Sequence, residues 1–406
     1  MVHKRRVVVT GIGVISAIGI GREAFWPALL AGKSGITKIT AFDTSSFKNH
    51  YGGEIKDFDA GDFIPRRKIK FLGKTSQLAI GASALALKDS QLPYTEIPKK
   101  KIGVIIGTTL GEKPLEELTA AWAKGGLKDV DRAKVVQVSA NNICANIGIH
   151  FKMRGFNCLI PTACSAGNYA IGYGSDLIRS GDLNFVLAGG SDAFSYLAYT
   201  GFQRLYAMAP EMCQPFDKNR KGMMLGEGAG IIIMESLESA TKRKAQIYAE
   251  VAGYGLSCDA YHATAPHPDG ISRAMEKAIN EAGLSYKDVD YVCAHGTGTT
   301  ANDRAESQAV KKIFKERYRE VLVNSIKSML GHPMGAASAI EAAVCCLAVK
   351  SDIVPPTINF KTPDPECDVD CVANKARNKV VNVALNNGFA FGGNNCCVVF
   401  KKYKDR

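Results

Sequence analysis

Residues 157–177 read NCLIPTACSAGNYAIGYGSDL: a strand-like run that stops at Pro161, then, past Thr162-Ala163-Cys164-Ser165, an alanine- and glycine-rich helical stretch. A strand turning sharply into a helix is the building unit of an α/β protein. Short β-branched apolar runs recur outward from it: VVVT at 7–10, KIGVIIG at 101–107, NFVLAGG at 184–190, GIIIMES at 230–236, DYVCAHG at 290–296, EVLVNS at 320–325 and NCCVVF at 395–400. Helical stretches are expected between them, at 75–89, 168–180, 272–282 and 336–350. Small residues on every face of these helices predict burial on both sides, with sheets sandwiching a helical layer. Strand-into-glycine openings near residues 5–13 and 245–255 hint at two similar halves. KSDIVPPTINFKTPDPECDVD, residues 350–370, carries four prolines and reads as an extended connection.

At 406 residues the chain exceeds what one simple core supports, so two large units are expected. Hydrophobic residues at 46% and charged residues at 22% exclude disorder and collagen. The 51 Lys+Arg against 39 Asp+Glu leave +12, which favours an acidic partner. Twelve scattered cysteines include no C-x-x-C pair; Cys367 and Cys371 come nearest, so structural zinc is not expected and a reducing, cytoplasmic setting is. HKRR followed by VVVTGIG imitates a signal peptide, yet Gly11 and Gly13 interrupt the apolar run; a buried strand at Val7–Thr10 turning through both glycines fits better. No segment offers the roughly 18 uninterrupted apolar residues of a membrane span.

Four loops carry chemistry. Cys164 sits on a strand-to-helix turn, where free N–H groups and the helix dipole favour a thiolate; otherwise it is one more buried cysteine. In YVCAHGTGTTANDRAESQAV, residues 291–310, His295 precedes a hydroxyl-rich loop suited to a polar, extended ligand, while Asp303 and Glu306 read as structural charges at a helix start. In VLVNSIKSMLGHPMGAASAIEAA, residues 321–343, Lys327 stands five residues ahead of His332 inside an apolar frame, so it is either exposed or needs a buried partner such as Glu341. In NNGFAFGGNNCCVVF, residues 386–400, glycines surround Phe389 and Phe391, giving either a hairpin or an aromatic placed at a site.

TACSAG, AHGTGT, SIKSMLGH and FGG, with QPFDKNRKGMMLGEGAG and DAYHATAP between them, give the chain its resemblance, over essentially its whole length, to β-ketoacyl-acyl-carrier-protein synthases of the elongating synthase II type. The resemblance implies a thiolase-like α/β fold, two similar halves in a five-layered αβαβα sandwich. Residues 1–250 would carry Cys164, and 251–406 would carry His295, Lys327 and His332. It implies acyl transfer to Cys164, then decarboxylative condensation with a malonyl thioester at His295 and His332. Lys327 and Glu341 would support His332, and Phe391 would serve as oxyanion donor and gate. Thr297 and Thr299 would hold a phosphopantetheine arm, Leu110 and Phe202 would shape an acyl pocket, and Arg66, Arg67, Lys68, Lys70 and Lys74 would dock an acidic acyl carrier protein. Also implied are a homodimer, no metal, no dissociable cofactor, no nucleic acid and no membrane. GFAFGGNN departs from the family's pattern at Ala390 and Asn394, and FLGKTSQLA departs from it after Lys68, which would suit a specialised acyl or polyene pathway as well as fatty acid synthesis.

Four rival readings remain; the first, a nucleic-acid binder, would explain the +12 charge, but the sequence holds no recognised motif and no interleaving of basic and aromatic residues. A thiolase would need a second cysteine, for which Cys396 and Cys397 are candidates without the expected context. A non-catalytic chain-length partner subunit would have no use for Cys164. A dinucleotide fold would need a glycine at Ser16 in VVVTGIGVIS.

Overall fold

The computed structural model describes residues 5–112 and 114–404; His3 and Lys4 of the basic opening lie outside the described residues. The first strand, β1 (Val7–Ser16), is buried along its whole length. It does not turn at Gly11 and Gly13, as the sequence suggested, but runs straight through both. The reason is α1 (Lys74–Ser90), which crosses it so closely that a Cβ on Gly13 would lie 1.9 Å from the Ala82 carbonyl oxygen and one on Gly11 2.4 Å from that of Ala86. These glycines serve helix-on-sheet contact and leave no loop in which a pyrophosphate could sit.

The first half continues with β2 (Ile102–Gly107), α2 (Asn142–Phe151), β3 (Asn157–Ile160), α3 (Ala166–Arg179), β4 (Phe185–Asp192) and β5 (Gly228–Ser236). The second holds β6 (Ala249–Cys258), α4 (Pro268–Glu281), β7 (Tyr291–Cys293), α5 (Thr300–Phe314), β8 (Leu322–Asn324), α6 (Ala337–Ser351), β9 (Val383–Phe389) and β10 (Asn394–Lys401). Strand order outward from the middle is β1-β5-β4-β2-β3 in one half and β6-β10-β9-β7-β8 in the other. Parallel and antiparallel pairings match position for position. Among the described residues, the strand pairs Val8↔Glu250 and Val9↔Ala249 join the halves at the seam. The second half's first strand begins at Ala249, just ahead of the expected divide. Lys350 and Ser351 still belong to α6, so the expected connection begins only after its left-handed cap at Asp352; from there to 370 the described chain holds no helix beyond a short 3₁₀ turn at Pro365–Cys367.

Three apolar cores set the layers. Alternate residues of β5 show how: Ile232 packs inward with α3 and α6, while Ile231 and Ile233 pack outward with α1 and α2. A matching outer core joins β7, β9 and β10 to α4 and α5. The result is the five-layered αβαβα sandwich, with α3 and α6 as its central layer. Every residue of α6 from Ala337 to Val349 is buried. The helical stretch Met334–Ser351 is apolar and long enough to cross a membrane, although Glu341 and Lys350 interrupt it; here 89% of it lies inside the protein.

Gly13→Ala is expected to lower stability in urea unfolding by about 3 kcal/mol, as an overpacked contact with backbone behind it. Gly201→Ala, on the exposed helix Tyr196–Arg204 with nothing within 4 Å of the added methyl group, should stay within about 1 kcal/mol of the parent, on the stabilising side.

Candidate active site

The turn after β3 places Cys164 in a single 3₁₀ turn, Ala163–Ser165, that leads directly into α3. Ala163 adopts the left-handed φ of +50°, sharpening the bend. Cys164 itself is only 7% exposed. That burial reverses the expected thiolate: it pushes the Cys164 thiol up to about 12, with Lys327 pulling the other way. The helix terminus is there, but loss of solvent outweighs it.

His295 follows β7. Its backbone N–H and that of Gly296 donate to the two oxygens of buried Glu306 at 2.9 and 2.8 Å, and Asn387 donates to the same carboxylate. Asp303 accepts from Gly298 at 3.2 Å and from Phe216 at 2.8 Å, with Arg220 Nε 3.8 Å away. Both carboxylates are thus anchors of the histidine loop, a role beyond helix-start charges. The Thr297 and Thr299 hydroxyls lie 2.9 Å apart, and Thr299 also caps α5 by accepting from Asn302 N–H.

His332 is clamped through its backbone, donating to Met224 O at 2.7 Å and accepting from Gly226 N–H at 3.0 Å. Met334 N–H donates to His332 Nδ1 at 3.2 Å. A neutral imidazole that accepts at Nδ1 carries its proton on Nε2, so His332 presents a donor to the cavity. Lys327 is fully buried, not an exposed loop lysine, and is ion-paired with Glu341. Burial raises Glu341 to about 7 against the pull of Lys327. Burial, and then the Lys327 charge, hold both His295 and His332 well below the ordinary histidine value, and His332 adds to the effect on His295. Both rings are neutral at physiological pH.

One ligating atom each of Cys164, His295 and His332 lie within 4.8 Å of one another, and the two imidazoles meet edge to face at 5.3 Å. That spacing would suit a metal, but with Met334 N–H on Nδ1, His332 offers a proton and not a lone pair. The arrangement suits hydrogen bonding to an oxygen in front of the sulfur.

These three residues line a narrow cavity of about 60 Å³ together with Thr297, Thr299, Phe202 and Phe391. Phe391 sits, 40% exposed, at the hairpin between β9 and β10, so the loop is both a hairpin and a site element. Its ring packs 5.7 Å from that of Phe202. Gly392 N–H, at φ +83°, donates to Ala263 O and ties the hairpin to the 259–266 loop. Asn394 touches the Cys164 turn through its backbone, accepting from the Ser165 hydroxyl at 3.0 Å, a contact that any residue there would supply.

Leu110 does not line the cavity; it packs behind it in an apolar cluster with Phe202, Phe194, Tyr199 and Met334. Arg66, Arg67, Lys68 and Lys70 are exposed on and beside a short helix, with Lys74 half-buried at the start of α1; none reaches the cavity. Cys396 and Cys397 are fully buried in β10 and do not line the cavity, so the second cysteine of a thiolase has no counterpart there. Sequence reasoning passed over Asp192, a buried carboxylate whose only signal was an acid ending an apolar strand.

Duplicated halves meeting at a Cys–His–His set define the class: thiolase-fold condensing enzymes. The chain belongs to the β-ketoacyl synthase family, matching its N-terminal domain over residues 4–240 and its C-terminal domain over 248–361. It is 41% identical to the 3-oxoacyl-[acyl-carrier-protein] synthase 2 of Synechocystis sp. over 412 residues, 99% of each chain. The solved ishigamide ketosynthase/chain length factor superposes with a TM-score of 0.96 at 41% identity, covering 99% of this chain and 100% of that one. A type II polyketide synthase acyl-carrier protein in complex with its ketosynthase bound to the hexaketide matches with a TM-score of 0.91 at 32% identity, over 99% and 100% of the two chains.

Alkylation of Cys164 by iodoacetamide, followed by peptide mass spectrometry to separate it from exposed Cys258, should rise about tenfold per pH unit from roughly pH 7 to 10 without a plateau. A plateau near neutral pH would mean that the helix terminus prevails over burial.

Proposed function

We propose that this protein elongates acyl chains by decarboxylative condensation, giving a 3-oxoacyl thioester on acyl carrier protein. The observation that carries this reading is the pair of neutral imidazoles facing the Cys164 sulfur, with the Nε2 proton of His332 fixed by Met334. Cys164 attacks the carrier-bound acyl thioester, its S–H proton leaves with the departing pantetheine thiol, and an acyl-Cys164 remains. Backbone N–H groups of Cys164 and Phe391 act as the oxyanion hole, each such donor being worth ~2.7–4 kcal/mol. A malonyl thioester then takes the carrier's place. Its carboxylate leaves as carbon dioxide, and the electron pair of the broken C–C bond becomes an enolate held by His295 and His332. The enolate carbon attacks the acyl carbonyl, and the Cys164 thiolate leaves and takes up a proton.

Neutral histidines fit because negative charge develops on the thioester oxygen, where a donor that keeps its proton stabilises without quenching the enolate. The buried Lys327–Glu341 pair holds His332 from behind. Thr297 and Thr299 receive the phosphopantetheine arm, and the acyl chain runs past Phe202 toward Leu110. The substrates bring their own activation as thioesters, so the reaction needs no metal or dissociable cofactor.

The exposed basic residues Arg66, Arg67, Lys68 and Lys70, with Lys74, dock an acidic acyl carrier protein. Among the described residues β3 pairs with β2 alone, and Ile149 (69% exposed), Phe156 (40%) and Tyr173 (38%) stand exposed nearby. That unpaired edge and its apolar neighbours suit a second copy of the chain, giving a homodimer in the cytoplasm. A chain-length partner subunit is the lesser reading, because Cys164 and both histidines are in place.

Cys164→Ala should abolish elongation, and Cys164→Gln should retain malonyl decarboxylation by imitating the acylated state. His295→Ala and His332→Ala should still load an acyl group on Cys164, seen by intact-protein mass, yet fail to condense it. Wild-type elongation by either histidine variant would remove it from enolate stabilisation.

Reversing Arg66, Arg67 and Lys68 to glutamate should raise KM for acyl carrier protein and flatten its salt dependence, with turnover of a small pantetheine thioester nearly unchanged. Equal losses with both substrates would assign the cluster to the fold.

A further inference from the structure

Asp192 ends β4 with its carboxylate fully buried. It accepts four hydrogen bonds from two parts of the site. Thr108 Oγ1 donates at 2.5 Å, Thr109 N–H at 2.8 Å and Leu110 N–H at 3.0 Å, all from the turn that carries the apolar cluster behind the cavity. Gly335 N–H donates at 2.6 Å from the turn that carries His332. The contact is tight: a Cβ on Gly335 would meet the Thr108 carbonyl carbon at 2.6 Å and Asp192 Oδ2 at 2.7 Å. Between Gly335 and His332 stands Met334, whose N–H fixes the His332 proton while its side chain packs in the same cluster as Leu110 and Phe202.

Resting on the condensing reading above, we propose that Asp192 is a positioning residue that holds the Thr108–Leu110 turn and the His332 turn in one register, so that acyl-length selection and enolate stabilisation are set by a single carboxylate. An ionised carboxylate suits this because its two oxygens can accept from all four donors, whereas an amide would place an N–H₂ against N–H groups and lose part of the set. A chain end that displaces the Leu110 turn then moves the backbone behind His332. Condensation, and not only loading, becomes sensitive to acyl length.

The test uses the full-length protein and its Asp192→Asn and Thr108→Val variants; the second keeps the carboxylate and removes one donor from the Leu110 side only. Loading of Cys164 is followed by intact mass with short and long acyl carrier thioesters, and condensation of the preloaded enzyme is followed with malonyl carrier protein. Asp192→Asn should load a short acyl group within about threefold of wild type, yet condense it about 100-fold more slowly, the size of effect that a misplacement near 1 Å produces. Its length profile should shift in the same preparation. Thr108→Val should alter both the length profile and the condensation rate. Equal losses in loading and condensation would reduce Asp192 to a fold-supporting residue and overturn the proposal. A shifted length profile with unchanged condensation in Thr108→Val would overturn the coupling. A wild-type enzyme that neither loads Cys164 nor condenses would overturn the condensing reading itself, a result distinguishable from either.

Discussion

Two helices must meet end on, at backbone distance, in the middle of the molecule. α3 follows the Cys164 turn and α6 follows the His332 turn, and their first residues touch only because side chains there are nearly absent. A Cβ on Gly167 would fall 2.6 Å from Ala339 N; the strands seat the two helices as closely, a Cβ on Gly230 of β5 falling 2.6 Å from Ile340 N and one on Gly107 of β2 2.3 Å from the Ala166 carbonyl carbon. Asn168 and Asn386 lock the junction, exchanging bonds at 2.9 and 2.7 Å, and Asn386 also donates to Ser338 O. Everything at the site depends on this approach, because sulfur and imidazole come from different halves of the chain. Neither half has a site by itself.

The chemistry depends equally on dryness. Cys164, both histidines, Lys327, Glu341, Glu306 and Asp192 are all buried. In such surroundings a charge without a partner is costly, so the charges pair or are held by several donors, and the histidines stay neutral. The same desolvation that keeps Cys164 a thiol strengthens each hydrogen bond aimed at a developing oxyanion. The three groups that face the substrate, Cys164, His295 and His332, carry no charge until the substrate supplies one.

Much of this was legible in the chain itself, for physical reasons. Strand and helix periodicities are local, and all seven apolar runs fall in strands, with the four proposed helices found within a few residues of their expected ends. Small residues on every face of the central helices foretold their two-sided burial. What local pattern could not disclose was distance in space. Gly11 and Gly13 read as a turn because nothing nearby in sequence announces a helix crossing from residues 82–86. Cys164 read as a ready thiolate because its helix terminus is local, whereas the burial that opposes it is assembled from both halves. Asp192 and the anchoring role of Glu306 escaped for the same reason: their partners lie far away along the chain or are anonymous backbone N–H groups. The site residues themselves stood out because they come in dense local motifs.

The burial of α6 also bears on how the chain is made. Its helical stretch from Met334 has a mean hydropathy of 1.4 over 18 residues, and the strands β9 and β10 that cover one side of it follow it in the chain. Until residue 401 has been synthesised, this helix has no second sheet to lie against. The first half, however, closes once β5 has paired with β1, at residue 236, about a hundred residues before α6 appears. Its inner face then offers the emerging helix an apolar bed. Domains fold as units in the order of synthesis, so the nucleophile-bearing half acts as a template within the same polypeptide. It receives an apolar helix, and the duplicated architecture gives that helix a surface to lie against before the sheet of its own half is complete.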